Sequence, residues 1–207
     1  MSLRAKAGRW RKHWSHLEPG EKELRLLREE GNLDTLCMYL EEPDATPALR
    51  HRATLNIASM APGGGDAGFF SGATDPAIIP ILAPLAEEDD DPKTRRYATF
   101  GLSRTRDPAA ASALVRALAS TDAPTRVHGI LGLERLRWRP AVDPIVGLLD
   151  DPHCRNRAAE ALVEIGDGRA IRPLWAAALA AETPRVRKQL EQAAVSLEKA
   201  AGFAASG

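Results

Sequence analysis

Cysteine, aromatic residues and net charge are all scarce in this chain of 207 residues. It contains two cysteines, 5% aromatic residues, and 28 basic side chains against 28 acidic ones. Two cysteines are too few for a disulfide framework, and 44% apolar residues at zero net charge exclude a disordered chain. The length allows one domain, or two small ones, with a buried core.

Long apolar runs and targeting signals are also absent. No stretch of 18 uncharged apolar residues occurs, so the sequence predicts no transmembrane segment. Residues 1–17 lack the apolar core and the cleavage site of a secretory signal. We therefore expect a cytoplasmic protein in which Cys37 and Cys154 remain thiols, far apart and without metal-like spacing.

Apolar residues recur in five segments at the helical spacing i, i+3, i+4 and i+7. The segments begin at Leu33, Ile78, Ala111, Val142 and Ile171. This spacing predicts one buried helix face in each segment, and no comparable alternation indicates a strand. The chain is therefore predicted to be all-α.

A second kind of helix is predicted upstream of the last four segments. Each begins with Asp or Thr and a nearby Pro, followed within a few residues by Arg; the starts are Thr46, Asp91, Asp122 and Asp151, with a fifth at Thr183. Asp and Thr are favoured N-caps, and Pro at the first helical position loses no hydrogen bond. In three repeats the Arg precedes the next apolar segment by 16 residues. The pattern predicts repeated helix pairs joined by short turns.

Stacked pairs of this kind form an α-solenoid, in which neighbouring repeats share a continuous core. We expect a capping helix over residues 1–17, a solenoid over 18–200 and a flexible tail over 201–207. The predicted repeats lie near 18–41, 46–86, 91–119, 122–149 and 151–180, with a half-repeat at 183–200.

The segment DDPHCRNRAAEALVEIGDGRAIRPLWAAAL, which starts at Asp150, resembles the short HEAT-like repeats of the phycobilisome-lyase type. The resemblance extends from about residue 20 onward and is strongest between Asp91 and Ala180. It implies a superhelix of about five HEAT-like repeats. Such repeats occur in scaffolds, lyases, hydroxylases and nucleic-acid enzymes, so they define a fold better than a function.

An insertion interrupts the second repeat. Arg50 precedes Ile78 by 28 residues instead of 16, and the 12 extra residues fall in a Gly-rich loop at 61–75 that carries Phe69 and Phe70. A phosphate-binding loop is rejected, because Gly-Lys-Ser/Thr and a preceding strand are missing. The loop is either an arm that docks a partner through its phenylalanines or a lid over the helix ends. We favour the lid.

The first 17 residues form a basic amphipathic pattern. Leu3, Ala7, Trp10, Trp14 and Leu17 share one helix face, among five basic and no acidic side chains. Such a helix can bind an anionic membrane or a partner, or it can cap the first repeat. We favour the cap.

Basic residues also repeat in the turns of the two central repeats. Arg104 and Arg106 correspond to Arg135 and Arg137 at a shift of 31 residues, and Trp138 and Arg139 extend the group. These residues could form a cationic ridge that grips carboxylates or phosphates. Alternatively, they are solvated or paired with Asp107 and Glu134.

A different set of arginines occupies one register of every starting helix. Its members are Arg50, Arg95, Arg126, Arg155 and Arg187. We expect them to bond helix-end carbonyls or neighbouring aspartates, which is a structural role.

No catalytic set can be assigned. The five histidines share no repeat register and none precedes Glu, unlike the His-Glu pairs that bind iron in deoxyhypusine hydroxylases, which are similar solenoids. His153 and Cys154 are adjacent, but Cys154 falls on an apolar helix face, so core packing explains it. We predict no catalytic, metal-binding or cofactor-binding residue and no cofactor, and we lean against an enzyme.

The leading hypothesis is a non-enzymatic scaffold that binds a protein or peptide. The alternatives are nucleic-acid or polyanion binding by the basic C-terminal half and, from the resemblance alone, a bilin lyase. The charge is unevenly distributed: residues 1–17 carry five basic and no acidic side chains, residues 18–91 carry 5 and 16, and residues 92–207 carry 18 and 12. The partner and the oligomeric state stay open.

Overall fold

A computed structural model describes residues 21–42, 45–60 and 77–205 of the chain. These residues contain eleven α-helices and no strand: α1 Glu21–Glu29, α2 Leu33–Glu41, α3 Pro47–Met60, α4 Ile78–Glu88, α5 Pro92–Leu102, α6 Ala111–Ala117, α7 Ala123–Arg135, α8 Val142–Val146, α9 Arg155–Ile165, α10 Ile171–Ala180 and α11 Pro184–Ala205. Odd-numbered helices up to α9 start a repeat, and the even-numbered helix that follows completes it. The predicted all-α solenoid of stacked pairs is confirmed.

The chain divides into two compact units, Met1–Thr105 and Arg106–Gly207, here called unit 1 and unit 2. In unit 1, α3 packs against α1 and α5, and α4 packs against α5. In unit 2, α9 packs against α7 and α11, while α6, α8 and α10 each pack on the first helix of the next repeat. Within each unit, neighbouring repeats therefore pack their helices against one another, as the repeat pattern predicts.

Side-chain caps fix the starts of the first helices. Asp91 accepts a hydrogen bond from the Thr94 N–H at 2.6 Å, and Asp122 accepts one from the Thr125 N–H at 3.0 Å. The Thr46 hydroxyl oxygen accepts the Leu49 N–H in the same way. These bonds satisfy amide groups that have no partner within the helix.

Asp151 does not cap α9 as the sequence predicts, because α9 begins only at Arg155. Residues 152–154 form a separate turn, in which the Asp151 carboxylate accepts the His153 N–H at 2.9 Å. The Asp151 carbonyl in turn accepts the Cys154 and Arg155 N–H groups. The carboxylate and the carbonyl of Asp151 thus stabilise a tight turn where the sequence predicts the first turn of α9.

The second helices α2, α4, α6, α8 and α10 begin at the first residue of each apolar segment. In the last three repeats a short 3₁₀ turn precedes them, at Pro108–Ala110, Arg139–Ala141 and Gly168–Ala170. Asp107 and Asp167 cap two of these turns. The 3₁₀ turns shorten α6 and α8 to 7 and 5 residues, well below the dozen that the repeat length suggests.

Each unit has its own core of fully buried aliphatic side chains. In unit 1 the largest are Leu24, Leu36, Ile57, Ile78, Leu82 and Leu102, and in unit 2 they are Leu114, Ile130, Leu133, Ile145, Leu162 and Leu174. One glycine permits a very close approach of helices. A Cβ at Gly101 on α5 would lie 2.5 Å from Leu82 Cδ1 and 2.8 Å from the Ala58 Cα.

The last helix, α11, buries Leu190, Ala194 and Leu197 against the stack. Its remaining surface is mostly polar and exposed, which is the property that ends a repeat array. The helix continues to Ala205, beyond the predicted half-repeat at 183–200. Four of the last six helical residues are alanine, which has the highest helix propensity and favours this extension.

Candidate partner-binding surface

Two of the predicted functional segments lie outside the described residues. These are the N-terminal helix at 1–17 and the loop at 61–75 with Phe69 and Phe70. The alternatives of arm or lid, and of cap or membrane-binding helix, stay predictions.

The arginines at the repeated register bind backbone carbonyls and aspartates, as predicted. In unit 1, Arg50 donates to the Leu40 carbonyl at the end of α2 (2.7 Å) and pairs with the Asp89 carboxylate. Arg95 donates to the carbonyls of Asp89 and Asp90, at 2.5 and 3.0 Å. His51, which follows Arg50 on α3, has its Nε2 2.5 Å from the Asp91 carboxylate.

Unit 2 repeats the arrangement. Arg126 donates to the Ser120 carbonyl at 2.7 Å and makes two bonds, of 2.9 and 2.7 Å, to one oxygen of Asp151. Arg155 donates to the Leu149 carbonyl at 2.7 Å. Each guanidinium thus ties the end of one second helix to the next starting helix, and Arg126 also reaches the turn that begins the following repeat. Arg187, in contrast, is exposed.

The predicted cationic ridge is divided between the units. Arg104 belongs to unit 1, where its guanidinium carbon lies 5.3 Å from the centroid of the Phe100 ring in a cation–π contact. The other basic candidates, Arg106, Arg135, Arg137 and Arg139, belong to unit 2 and are exposed, while Trp138 is half-buried.

Arg106 and Arg137 have left-handed backbone conformations, with φ of +52° and +47°. Arg137 closes α7 in a Schellman turn, in which the Trp138 N–H bonds the Leu133 carbonyl at 3.0 Å. Gly31 and Gly166 hold the corresponding positions after α1 and α9, with φ of +68° and +71°. Sequence reasoning missed this strain, although aligning Arg137 with Gly166 at the repeat shift of 29 residues would have shown it.

Half-buried apolar side chains adjoin these arginines on α7. Leu131 and Arg135 share one face of α7 at the spacing i and i+4, Trp138 follows the turn that ends the helix, and both Leu131 and Trp138 are only half-buried. At the matching register of α9 stand Glu160 and Glu164. We call this surface the α7–α9 face; it comprises Leu131, Glu134, Arg135, Arg137, Trp138, Glu160 and Glu164.

The charges on the α7–α9 face are mixed. Arg137 Nη2 lies 3.8 Å from Glu164 Oε2, and Arg157 Nη1 lies 2.8 Å from Glu160 Oε2. Burial raises the pKa of Glu134, and the nearby carboxylates of Glu164 and Glu160 raise it further against the opposing Arg157. The face is therefore not uniformly basic.

Arg169 holds the two neighbouring turns of unit 2 together. It bonds Asp167 in its own turn, Asp143 at 3.2 Å and the Arg139 carbonyl at 2.9 Å. This arginine was not among the candidates from sequence. Its bonds fix the backbone of Arg139 and leave the Arg139 side chain exposed.

Nothing in the described part of the chain provides a metal or thiol centre. No group of three or more His, Cys, Asp or Glu side chains there could hold a metal ion. Cys154 is fully buried, as predicted, and burial raises the pKa of its thiol. None of the described helices is long and apolar enough to cross a membrane.

Comparisons with known proteins support the repeat architecture. Residues 79–154 match the HEAT repeats family. The fold is similar to that of an engineered protein, a target of the Northeast Structural Genomics Consortium, with a TM-score of 0.60 and 18% sequence identity over 97% of this chain and 93% of that one. No curated protein matches the chain. The family match thus shows HEAT-like repeats over residues 79–154.

Proposed function

We propose that the protein is a non-enzymatic scaffold that binds a protein or peptide partner through the α7–α9 face. The observation that carries the proposal is that the half-buried Leu131 and Trp138 and the exposed Arg135 and Arg137 lie at the end of α7 and in the turn that follows it. Ile130 and Leu133 of the same helix are fully buried, whereas part of Leu131 and of Trp138 stays accessible to a partner. Aromatic, aliphatic and arginine side chains together are typical of protein interfaces.

The repeat arginines support this choice of surface. Arg126 and Arg155 are engaged inside unit 2, so they stabilise the stack and offer little to a partner. The α7–α9 face differs, because its arginines project from helix ends and turns into solvent. Binding there would leave the stacking bonds intact.

The test is a pair of matched leucine substitutions. Leu131→Ser alters the proposed face, whereas Leu179→Ser alters a leucine on α10 that is 79% exposed and lies away from it. We expect a partner captured from the native cell by the intact chain to be retained by L179S and lost by L131S. Titration calorimetry with the purified partner then measures the difference, and equal affinities would refute the proposal.

Polyanion binding is a second candidate, favoured by the exposed Arg106, Arg135, Arg137 and Arg139 and by Trp138, which could stack on a base. A duplex or single strand bound there should lose affinity steeply as salt rises. Fluorescence anisotropy with labelled DNA and RNA at two salt concentrations tests this, and an affinity independent of salt would refute it.

A bilin lyase is a third candidate that rests on the resemblance to phycobilisome-lyase repeats. Its test is incubation of the protein with a bilin and an acceptor subunit. A shift in visible absorbance is the expected result for a lyase, and an unchanged spectrum would eliminate this candidate.

A further inference from the structure

We infer that Arg137, which closes α7 in a left-handed turn, is a carboxylate-binding side chain, and that the partner presents an acidic peptide segment to the α7–α9 face. The inference rests on the proposed protein-binding function and names the chemistry of the partner. It starts from the backbone at Arg106 and Arg137, where φ is +52° and +47°.

A left-handed conformation is unfavourable for any residue with a Cβ, and glycine is the residue that adopts it without penalty. Gly31 and Gly166 are also left-handed at helix ends, and Gly166 aligns with Arg137 at the repeat shift of 29 residues, so the fold accepts glycine at this register. Arginine at the other two turns therefore costs conformational energy. Backbone strain of this kind indicates that the residue serves a function other than stabilising the fold.

The fold gains little from these side chains in return. The Arg137 side chain is 73% exposed, and its one ion pair among the described residues, with Glu164, is long at 3.8 Å and exposed on both sides. An exposed pair of this kind contributes little to stability. The planar guanidinium is well suited to bind a carboxylate in bidentate fashion, so a better-placed carboxylate could replace Glu164.

The neighbouring charges favour a peptide over a nucleic acid. Glu164 lies beside Arg137, Glu160 is likewise exposed, and Glu134 lies close to both glutamates. A phosphate backbone carries closely spaced charges, about one per 1.7 Å of duplex, and would be repelled by these carboxylates. A peptide can place single carboxylates on the arginines and an apolar side chain between Leu131 and Trp138.

The experiment uses the full chain and two labelled peptides of about twelve residues, in which either glutamate or glutamine alternates with serine around a central leucine. Fluorescence anisotropy is measured at about 0.05 M salt, with single-stranded DNA as a third probe. We expect the glutamate peptide to bind more tightly than the other two. No binding of the glutamate peptide at millimolar protein, or preferred binding of DNA, would overturn the inference.

Two substitutions should act in opposite directions. Arg137→Gly should weaken binding of the glutamate peptide about tenfold, since one bidentate charged contact is lost. Glu164→Gln should strengthen it several-fold, since a competing carboxylate is removed. The matched controls, Arg172→Ala and Glu182→Gln, change exposed charges elsewhere in unit 2 and should leave the affinity unchanged.

Thermal unfolding separates a binding role from a structural one. If Arg137 serves binding at the expense of backbone strain, R137G should raise the Tm by roughly 2–4 °C while affinity falls. A lower Tm for R137G, or an unchanged affinity, would overturn the inference. If both peptides bind equally and L131S abolishes binding of both, the scaffold function stands and only the carboxylate specificity fails.

Discussion

Glu134 and Asp151, both in unit 2, should make opposite contributions to stability as the pH changes. Glu134 is half-buried, its Oε2 accepts no hydrogen bond among the described residues, and burial raises its pKa. Because the folded pKa lies above the unfolded one, ionised Glu134 destabilises the fold at neutral pH. This penalty disappears as the pH falls through the raised pKa to the unfolded value near 4.3.

We therefore predict that Glu134→Gln raises the free energy of unfolding at pH 8. The gain should stay under about 1 kcal/mol, because the half-exposed carboxylate keeps part of its hydration. Urea unfolding at about pH 8 and pH 4 measures it, and the difference from the unsubstituted chain should shrink at the lower pH. Glu182→Gln, which alters an exposed glutamate, is the control. A loss of stability at pH 8 would contradict the prediction.

The contribution of Asp151 to stability changes with pH in the opposite direction. Burial alone would raise its pKa, but the His153 N–H, the Cys154 thiol and the Arg126 guanidinium donate to it and hold the pKa at about 2. The folded pKa thus lies below the unfolded one. The stabilisation is present above about pH 4 and is lost as the pH falls toward 2.

Asp151→Asn should accordingly lower the free energy of unfolding by about 1–2 kcal/mol at neutral pH, because Arg126 loses its charged partner. The neighbouring Asp150 is exposed, so Asp150→Asn is a matched control and should have little effect. Chemical unfolding at about pH 7 and pH 2.5 checks the prediction. A D151N deficit of the same size at both pH values would show that the carboxylate charge is not responsible.

Among the helices, the tightest restriction on side-chain size is at Gly101, where α5 meets α3 and α4. Alanine normally favours a helix by up to about 1 kcal/mol over glycine. At this position the added Cβ would collide with Leu82 and with the backbone of Ala58, so Gly101→Ala should destabilise unit 1 by about 1–3 kcal/mol. Circular dichroism during thermal unfolding measures the change.

Gly202 on α11 provides the contrasting substitution, since a Cβ there would meet no atom within 4 Å. Gly202→Ala should be neutral or slightly stabilising, by a few tenths of a kcal/mol near a helix end. If G101A were as well tolerated as G202A, α5 would have to shift away from α3 at little cost, which would contradict the close packing.

The sequence predicts the helices better than their ends. The apolar spacing identifies the first residue of α2, α4, α6, α8 and α10, since burial follows the helical period. The late start of α9 was missed, because an Asp-Pro pair is equally suited to a cap and to a separate turn. The 3₁₀ turns were missed as well, since no residue pattern distinguishes them from helix starts.

The candidate surface was predicted only in part. The basic residues after α7 were recognised from their repetition, and the structure leaves Arg135, Arg137 and Arg139 exposed. The left-handed backbone of Arg137 was missed although its alignment with Gly166 indicates it, whereas the nearby Glu164 required coordinates. Contacts between residues of different helices depend on stacking, which the pattern within one repeat does not specify.

At the scale of the whole molecule, zero net charge conceals an acidic segment between two basic ones. Residues 18–91 carry 16 acidic and 5 basic side chains, whereas residues 92–207 carry 12 and 18. Opposite charges on different copies should attract each other at low ionic strength, and neutrality removes the overall repulsion that would oppose this.

We predict weak self-attraction near neutral pH that decreases with salt. From about 0.01 M to about 0.15 M salt the Debye length falls from about 30 Å to about 8 Å, which should make the second virial coefficient less negative. Static light scattering across this range measures it. A coefficient that stays constant or falls with added salt would contradict an electrostatic origin.

The bonds of Arg126 have a consequence for how such a chain can be lengthened. This arginine donates to the carbonyl of Ser120, in the segment before its own helix, and to the carboxylate of Asp151, at the start of the next repeat. Asp122 holds the position in its own repeat that Asp151 holds in the next. A duplicated copy of residues 122–150, inserted after Asp150, would therefore give each copy of Arg126 an aspartate at the correct distance along the chain. A duplicated segment of another length would place a different residue at this distance from the arginine.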